Sequence, residues 1–151
     1  MKFSLQLQYA IGGIFDLAYH GGHGPTQIRV IGERQGIPLR YLEQIFQRLR
    51  KAGLVKAKRG PGGGYVLARS SESISVAEVM EAVEGSLVER PKTSGMSSEE
   101  SGSGSGADFL WPFLSERLVG VLAQLSLAEI CRLAAREGVP RLGSTPQDYQ
   151  I

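Results

Sequence analysis

The sequence predicts a mainly α-helical chain with one small β-hairpin. Three observations lead there. Apolar residues recur at helical spacing along most of the chain. Two short strand-like runs flank the glycine-rich turn Arg59-Gly60-Pro61-Gly62-Gly63-Gly64. Two Ser-x-x-Glu capping boxes open later helices.

Taken in order, Leu7, Ile11, Ile14, Phe15 and Ala18 place a first helix over about residues 3–20, and Gly21-Gly22 stops it. Pro25-Thr26 opens a second, short helix carrying Ile28 and Ile31, which ends near Gln35-Gly36. Pro38 begins a third, with Leu42, Ile45, Phe46 and Leu49 on one face, and Gly53 ends it. Leu54-Val55 starts a strand with Lys56 and Lys58 interleaved, and Tyr65-Val66-Leu67 is the return strand. Ser75 and Glu78 form the first capping box, before a stripe of Val76, Val79, Met80 and Val83. Between Ser94 and Gly106, 10 of 13 residues are Ser or Gly, too polar to offset their ordering entropy, so a flexible loop is expected. Order resumes at Asp108. Pro112 lies near the start of a helix whose Trp111, Leu114, Leu118, Val121, Leu122 and Leu125 share a side. Ser126 and Glu129 cap a last helix to about Glu137, and a loose tail follows.

Composition narrows the function. The chain has 151 residues, enough for a core without disulfides. Its one cysteine, Cys131, excludes an internal disulfide and any site needing two cysteines of one chain. No apolar run reaches the roughly 20 residues of a membrane helix, and the N-terminus lacks a signal-peptide pattern. A soluble cytoplasmic protein without membrane contact is expected. The net charge of +2 hides a division. Residues 1–69 hold 11 Lys/Arg against 3 Asp/Glu, a net +8; residues 70–151 hold 6 against 12, a net −6. A basic half is the footprint of a polyanion partner, though a solvated charged face is the commoner meaning of such a run.

Helix, turn, helix and basic hairpin together make the plan of a winged helix-turn-helix. With the apolar stripe of the third helix turned inward, Arg40, Gln44, Gln47 and Lys51 fall opposite, flanked by Glu43, Arg48 and Arg50. Arg pairs with guanine, Gln with adenine, and Glu accepts from cytosine. Recognition helices read bases mainly through their N-terminal residues. Arg40, Glu43, Gln44 and Gln47 are therefore the candidate base readers. Arg48, Arg50 and Lys51 are either phosphate contacts or structural surface charges. Lys56, Lys58 and Arg59 would lie on the wing. Gly60, Gly62 and Gly63 would let its backbone approach a phosphate chain, and an arginine at the tip suits a narrow minor groove. The glycine run is not a nucleotide-binding loop, because a strand follows it rather than a helix. No paired catalytic carboxylates and no Ser/His/Asp set come together, so an enzyme is not expected. A winged-helix protein-interaction module is the alternative, and the net +8 half argues against it.

Four stretches carry a specific resemblance: Ile31-Gly32-Glu33-Arg34-Gln35-Gly36-Ile37, Tyr41-Leu42-Glu43-Gln44-Ile45, Leu49-Arg50-Lys51-Ala52-Gly53-Leu54-Val55 and Arg59-Gly60-Pro61-Gly62-Gly63-Gly64-Tyr65. With Glu78-Val79 and Ala82-Val83-Glu84-Gly85, they resemble the IscR/NsrR/CymR family of bacterial transcription regulators. The resemblance implies a homodimer on a palindromic operator of double-stranded DNA, with Glu43 and Arg59 at DNA-reading positions. It implies that the helix carrying Trp111, Leu114, Leu118, Val121, Leu122 and Leu125 forms the dimer interface. The expected organisation is a DNA-binding domain over 1–70, a connecting helix over 71–91, a loop over 92–107, dimerisation helices over 108–138 and a tail over 139–151. Many relatives have a basic pair where this chain has Gln6-Leu7-Gln8, leaving Lys2 and Ser4 as substitutes for a phosphate contact. Many relatives also hold an iron–sulfur cluster through three loop cysteines. The loop Lys92–Gly106 has none, so no cofactor is expected.

The remaining candidates have plain readings. Cys131 shares a stripe with Leu127, Ile130 and Ala134 and is expected to act as a small apolar residue, with a redox-sensing thiol as the alternative. His20 is expected to be a helix-end histidine favoured by the dipole, and neither it nor His23 has a metal-binding neighbour. The terminal Ile151 suits capture of a C-terminal carboxylate, and the resemblance offers cysteine synthase as a possible partner.

Overall fold

The computed structural model describes residues 2–22, 24–88, 107 and 109–141. Six helices and one hairpin are seen: α1 (Leu5–His20), α2 (Ile28–Gln35), α3 (Leu39–Lys51), β1 (Val55–Lys58), β2 (Gly64–Leu67), a 3-10 turn (Ser71–Ser73), α4 (Val76–Glu84), α5 (Leu110–Gln124) and α6 (Leu127–Arg136). The chain is thus mainly helical with a wing, as expected.

α1 is the hub. Ser4 caps it by accepting from the Leu7 amide at 3.1 Å. Leu7, Ala10, Ile14 and Leu17 recur at helical spacing and are buried, and the helix packs against α2, α3, α4 and α6. Gly13 lets α3 come close: a Cβ there would stand 2.9 Å from the Phe46 ring. The α3 stripe Leu42, Ile45, Phe46 and Leu49 is buried against it, as the spacing predicts. Asp16 is also fully buried on α1. It accepts from Arg34 Nε at 3.1 Å, from a second Arg34 nitrogen and from Gln35 Nε2 at 2.9 Å. This fixes the last turn of α2 to α1.

Two expectations are corrected. Thr26 does not open a helix: α2 begins at Ile28, and Thr26 pairs with Tyr65 in an antiparallel bridge with bonds of 2.9 and 2.8 Å. The wing therefore gains a third edge, because an extended segment satisfies the outer backbone groups of β2. Residues 139–141 are not a loose tail. The Tyr19 hydroxyl donates to the Val139 carbonyl at 2.8 Å, and Arg141 Nε donates to the Tyr19 carbonyl at 2.7 Å. Residues 142–151, the 92–106 part of the loop, Asp108 and His23 lie outside the described residues.

Both capping boxes form. Ser75 and Ser126 each accept from the amide three residues on, and the glutamate there returns a bond. The two caps are joined by a Ser75–Ser126 bridge, with the Val76 amide donating to Leu125 at 2.8 Å and the Leu127 amide to Ile74 at 2.9 Å. α5 buries none of its own residues.

Candidate nucleic-acid interface

α3 presents the outer surface that its sequence forecasts. Arg40, Glu43, Gln44, Gln47, Arg48, Arg50 and Lys51 are all exposed, while the opposite stripe is buried. The helix is anchored at both ends. Gly36 adopts the left-handed conformation that ends α2, and Pro38 then leads directly into α3. At the far end, the Leu54 amide donates to Leu49 and turns the chain into β1.

The wing pairs Val55 with Leu67, Lys56 with Val66, Ala57 with Tyr65 and Lys58 with Gly64. Strand alternation sends Lys56 and Lys58 to one face. On the other, Tyr65 meets Phe46 edge to face at 4.9 Å, which seats the wing on α3. Gly64 makes the third edge possible. Its φ is +149°, and a Cβ there would stand 2.5 Å from the Thr26 carbonyl. At the tip, the Gly63 amide donates to the Gly60 carbonyl at 2.9 Å. Arg59, Gly60 and Gly62 are exposed and Gly63 is half-buried.

The cations of this surface stand without carboxylate partners, as do Lys2, Arg117 and Arg136 elsewhere among the described residues. Arg29, Arg34, Arg69 and Arg132 each form an ion pair with a carboxylate. Arg40, Arg48, Arg50, Lys51, Lys56, Lys58 and Arg59 form none with another described residue. The positive field over α3 and the wing is thus opposed there only by Glu43. Two of these cations still have local partners. Arg40 lies over the Tyr41 ring, 4.7 Å from its centroid, and donates to its hydroxyl. Arg48 donates to the Val83 carbonyl at 2.9 Å, tying α3 to the end of α4.

The structure also brings in residues that the spacing did not single out. Tyr41 is exposed beside Tyr9, with ring centroids 6.3 Å apart. With Gln6, Gln44 and Arg48 they line a recess of about 300 Å³ between α1 and α3. An aromatic in the first turn of α3 was the available signal. Ser4 is already engaged as the α1 cap and donates to Glu84, so it is not a free phosphate ligand.

The dimer candidates Trp111, Leu114, Leu118, Val121 and Leu125 are exposed in the single chain, and Leu122 is half-buried. Cys131 is half-buried, and burial pushes its thiol up from the ordinary value. Cysteine-ligated clusters need several thiolates. One cysteine held toward its protonated form does not fit such a group, and no cluster of three or more His, Cys, Asp or Glu among the described residues is placed to hold a metal. His20 closes α1 as expected; burial lowers its pKa, Asp16 opposes this, and Arg34 and Arg141 add to it.

The sequence matches the Rrf2 family of iron-dependent transcriptional regulators over residues 3–133. It is 43% identical over 130 residues to the HTH-type transcriptional regulator IscR of Photorhabdus laumondii subsp. laumondii, covering 86% of this chain and 79% of that one. It is 43% identical over 132 residues to IscR of Xenorhabdus nematophila, covering 87% and 80%. Among solved structures, T. potens IscR matches with a TM-score of 0.75 at 33% identity, covering 93% of each chain. CymR, the global cysteine regulator of B. subtilis, matches with a TM-score of 0.71 at 28% identity, covering 88% of this chain and 98% of that one.

Proposed function

The chain belongs to the Rrf2 family of transcriptional regulators, and on that premise we propose that it binds a palindromic operator as a homodimer. It is a regulator rather than an enzyme, as its relatives are named. α3 enters the major groove, where Arg40, Glu43, Gln44 and Gln47 meet base edges. The wing follows the backbone with Lys56 and Lys58 and places Arg59 in the minor groove. Arg50 and Lys51 contact phosphates, and Arg48 chiefly holds α3 against α4. The observation that carries this reading is the set of seven cations on α3 and the wing, none ion-paired with a described residue. A surface kept for a polyanion leaves its charge unneutralised.

The donor chemistry supports a regulator whose input is not a cysteine-ligated cluster. A cytoplasmic location agrees with work on DNA, and no described helix is long and apolar enough to cross a membrane. Genome-wide footprinting of the native protein across a salt series tests the proposal. Protected palindromes whose occupancy falls steeply with salt are expected. Association with a protein that ignores salt, with no protected DNA, would replace it with the interaction-module reading.

A further inference from the structure

The last turn of α1 carries a cluster that the DNA surface does not use. His20 and Asp16 meet Arg34 from the end of α2 and Arg141 from the segment after α6. The His20 side chain is 7% exposed and that of Asp16 not at all. Asp16 Oδ2 accepts from Arg34 Nε at 3.1 Å and from Gln35 Nε2 at 2.9 Å, and His20 Nε2 stands 3.9 Å from that same oxygen. On the other side, Arg141 Nε donates to the Tyr19 carbonyl and its guanidinium lies over the Tyr19 ring, which His20 meets edge-on at 5.2 Å. We propose that this cluster is a proton switch on DNA binding: a proton taken up by His20 loosens the end of α2 and lowers affinity for the operator. This rests on the operator reading above and adds an input to it.

A carboxylate oxygen has two lone pairs. Those of Asp16 Oδ2 are both engaged by α2, so an imidazolium gains that oxygen only by displacing Arg34 or Gln35. If it displaces neither, it sits as a third cation beside Arg34 and Arg141, with one carboxylate among them. Among the described residues, the charged groups that act on His20 are Asp16 on its own helix, Arg34 from α2 and Arg141 from beyond α6. Burial, with the two arginines and against Asp16, already holds its pKa below the ordinary value. The neutral ring is thus the form that fits the cluster as built. Arg34 and Gln35 are the last two residues of α2, and the chain passes from them through Gly36, Ile37 and Pro38 straight into α3. Arg40 lies six residues beyond Arg34. Loosening Arg34 and Gln35 therefore shifts the first turn of the helix proposed to read bases, and base reading tolerates displacements of only about 0.5 Å.

The sign of the effect sets it apart from plain electrostatics. Acidification adds positive charge to a protein, and that alone strengthens its hold on a polyanion. A switch at His20 makes affinity fall instead, by no more than about tenfold per pH unit for one proton. The chain has two histidines, His20 and His23, so few groups titrate near pH 6. The probe is a duplex carrying a palindrome protected in the footprints at pH 7.5. Its affinity is measured by anisotropy at fixed salt from pH 7.5 to 5.5 for the native chain, His20→Gln and His23→Gln. The ring titration of His20 is followed by NMR with and without the duplex. The expected result is a fall of about threefold or more on acidification in the native and His23→Gln chains, absent in His20→Gln. The His20 pKa is expected to drop further when the duplex binds, as reciprocal linkage requires. An affinity that is flat or rises toward pH 5.5 overturns the switch and leaves the operator reading standing, as does a His20 pKa that the duplex does not move. A fall that persists in His20→Gln places the titration elsewhere and overturns the switch too. If His20→Gln does not fold, the NMR titration of the native chain decides alone. A chain that binds no duplex at any pH overturns the operator reading and this inference with it.

Discussion

Asp16 is fully buried, yet it governs how α2 is presented to solvent. Its carboxylate holds Arg34 and Gln35 together, and His20 Nε2 lies 3.9 Å away. Asp16→Ala strands Arg34 beside a hole and is expected to cost about 3–5 kcal/mol, read as a lowered midpoint in denaturant. His20 adds a pH dependence of known sign. Its folded pKa lies below the ordinary value of about 6.5, so near that pH the folded chain binds fewer protons than the unfolded one. Stability is complete above pH 6.5 and falls as the solution is acidified below it. His20→Gln is expected to flatten that acid limb in denaturation curves at pH 7.5 and 5.5. On the DNA side, Arg59→Ala should weaken operator binding, whereas Glu43→Ala should relax base choice by about 1–3 kcal/mol at one position with less loss of affinity. Binding measured on an operator series separates the two. The exposed cations were legible because periodicity fixes what lies opposite Leu42, Ile45, Phe46 and Leu49. Asp16 was not, because its partners are 18 and 19 residues away and nothing local marks their meeting.

Elements were most readable where a local signal sets a boundary. Gly36 and Gly53, both at positive φ, end α2 and α3 as their positions suggested, and both capping boxes formed from adjacent residues. The start of α2 is not fixed by its local sequence, because Pro25-Thr26 suits a helix start and an extended edge equally well. The choice was made by β2, 39 residues later, which needed a backbone partner. Gly64 is where that choice is enforced. Gly64→Ala would drive a methyl into the Thr26 carbonyl, with an expected loss of about 1–3 kcal/mol. Faster amide exchange at Thr26 and Tyr65 would show that the third edge had come away, while slow exchange at both would show that the wing absorbs the methyl elsewhere.

At the scale of the molecule, the split of +8 and −6 separates the half that carries the proposed DNA surface from the half that carries the uncovered α5 stripe. The stripe was legible from periodicity, while its expected role in a dimer interface came from the family resemblance, since periodicity alone does not distinguish a core face from an uncovered one. Folding and association are expected to be linked: with no residue of α5 fully buried, Tm should rise with protein concentration, and a Tm unchanged over a hundredfold range would contradict this. The bridge between the two serine caps also gives the molecule a mechanical character. α5 is a beam built in at one end, held where Ser75 meets Ser126 and projecting about 22 Å to its N-terminus. A tilt of about 10° at that joint carries the free tip about 4 Å. Stiffness at a pair of serines therefore sets the reach of a tryptophan four helical turns away.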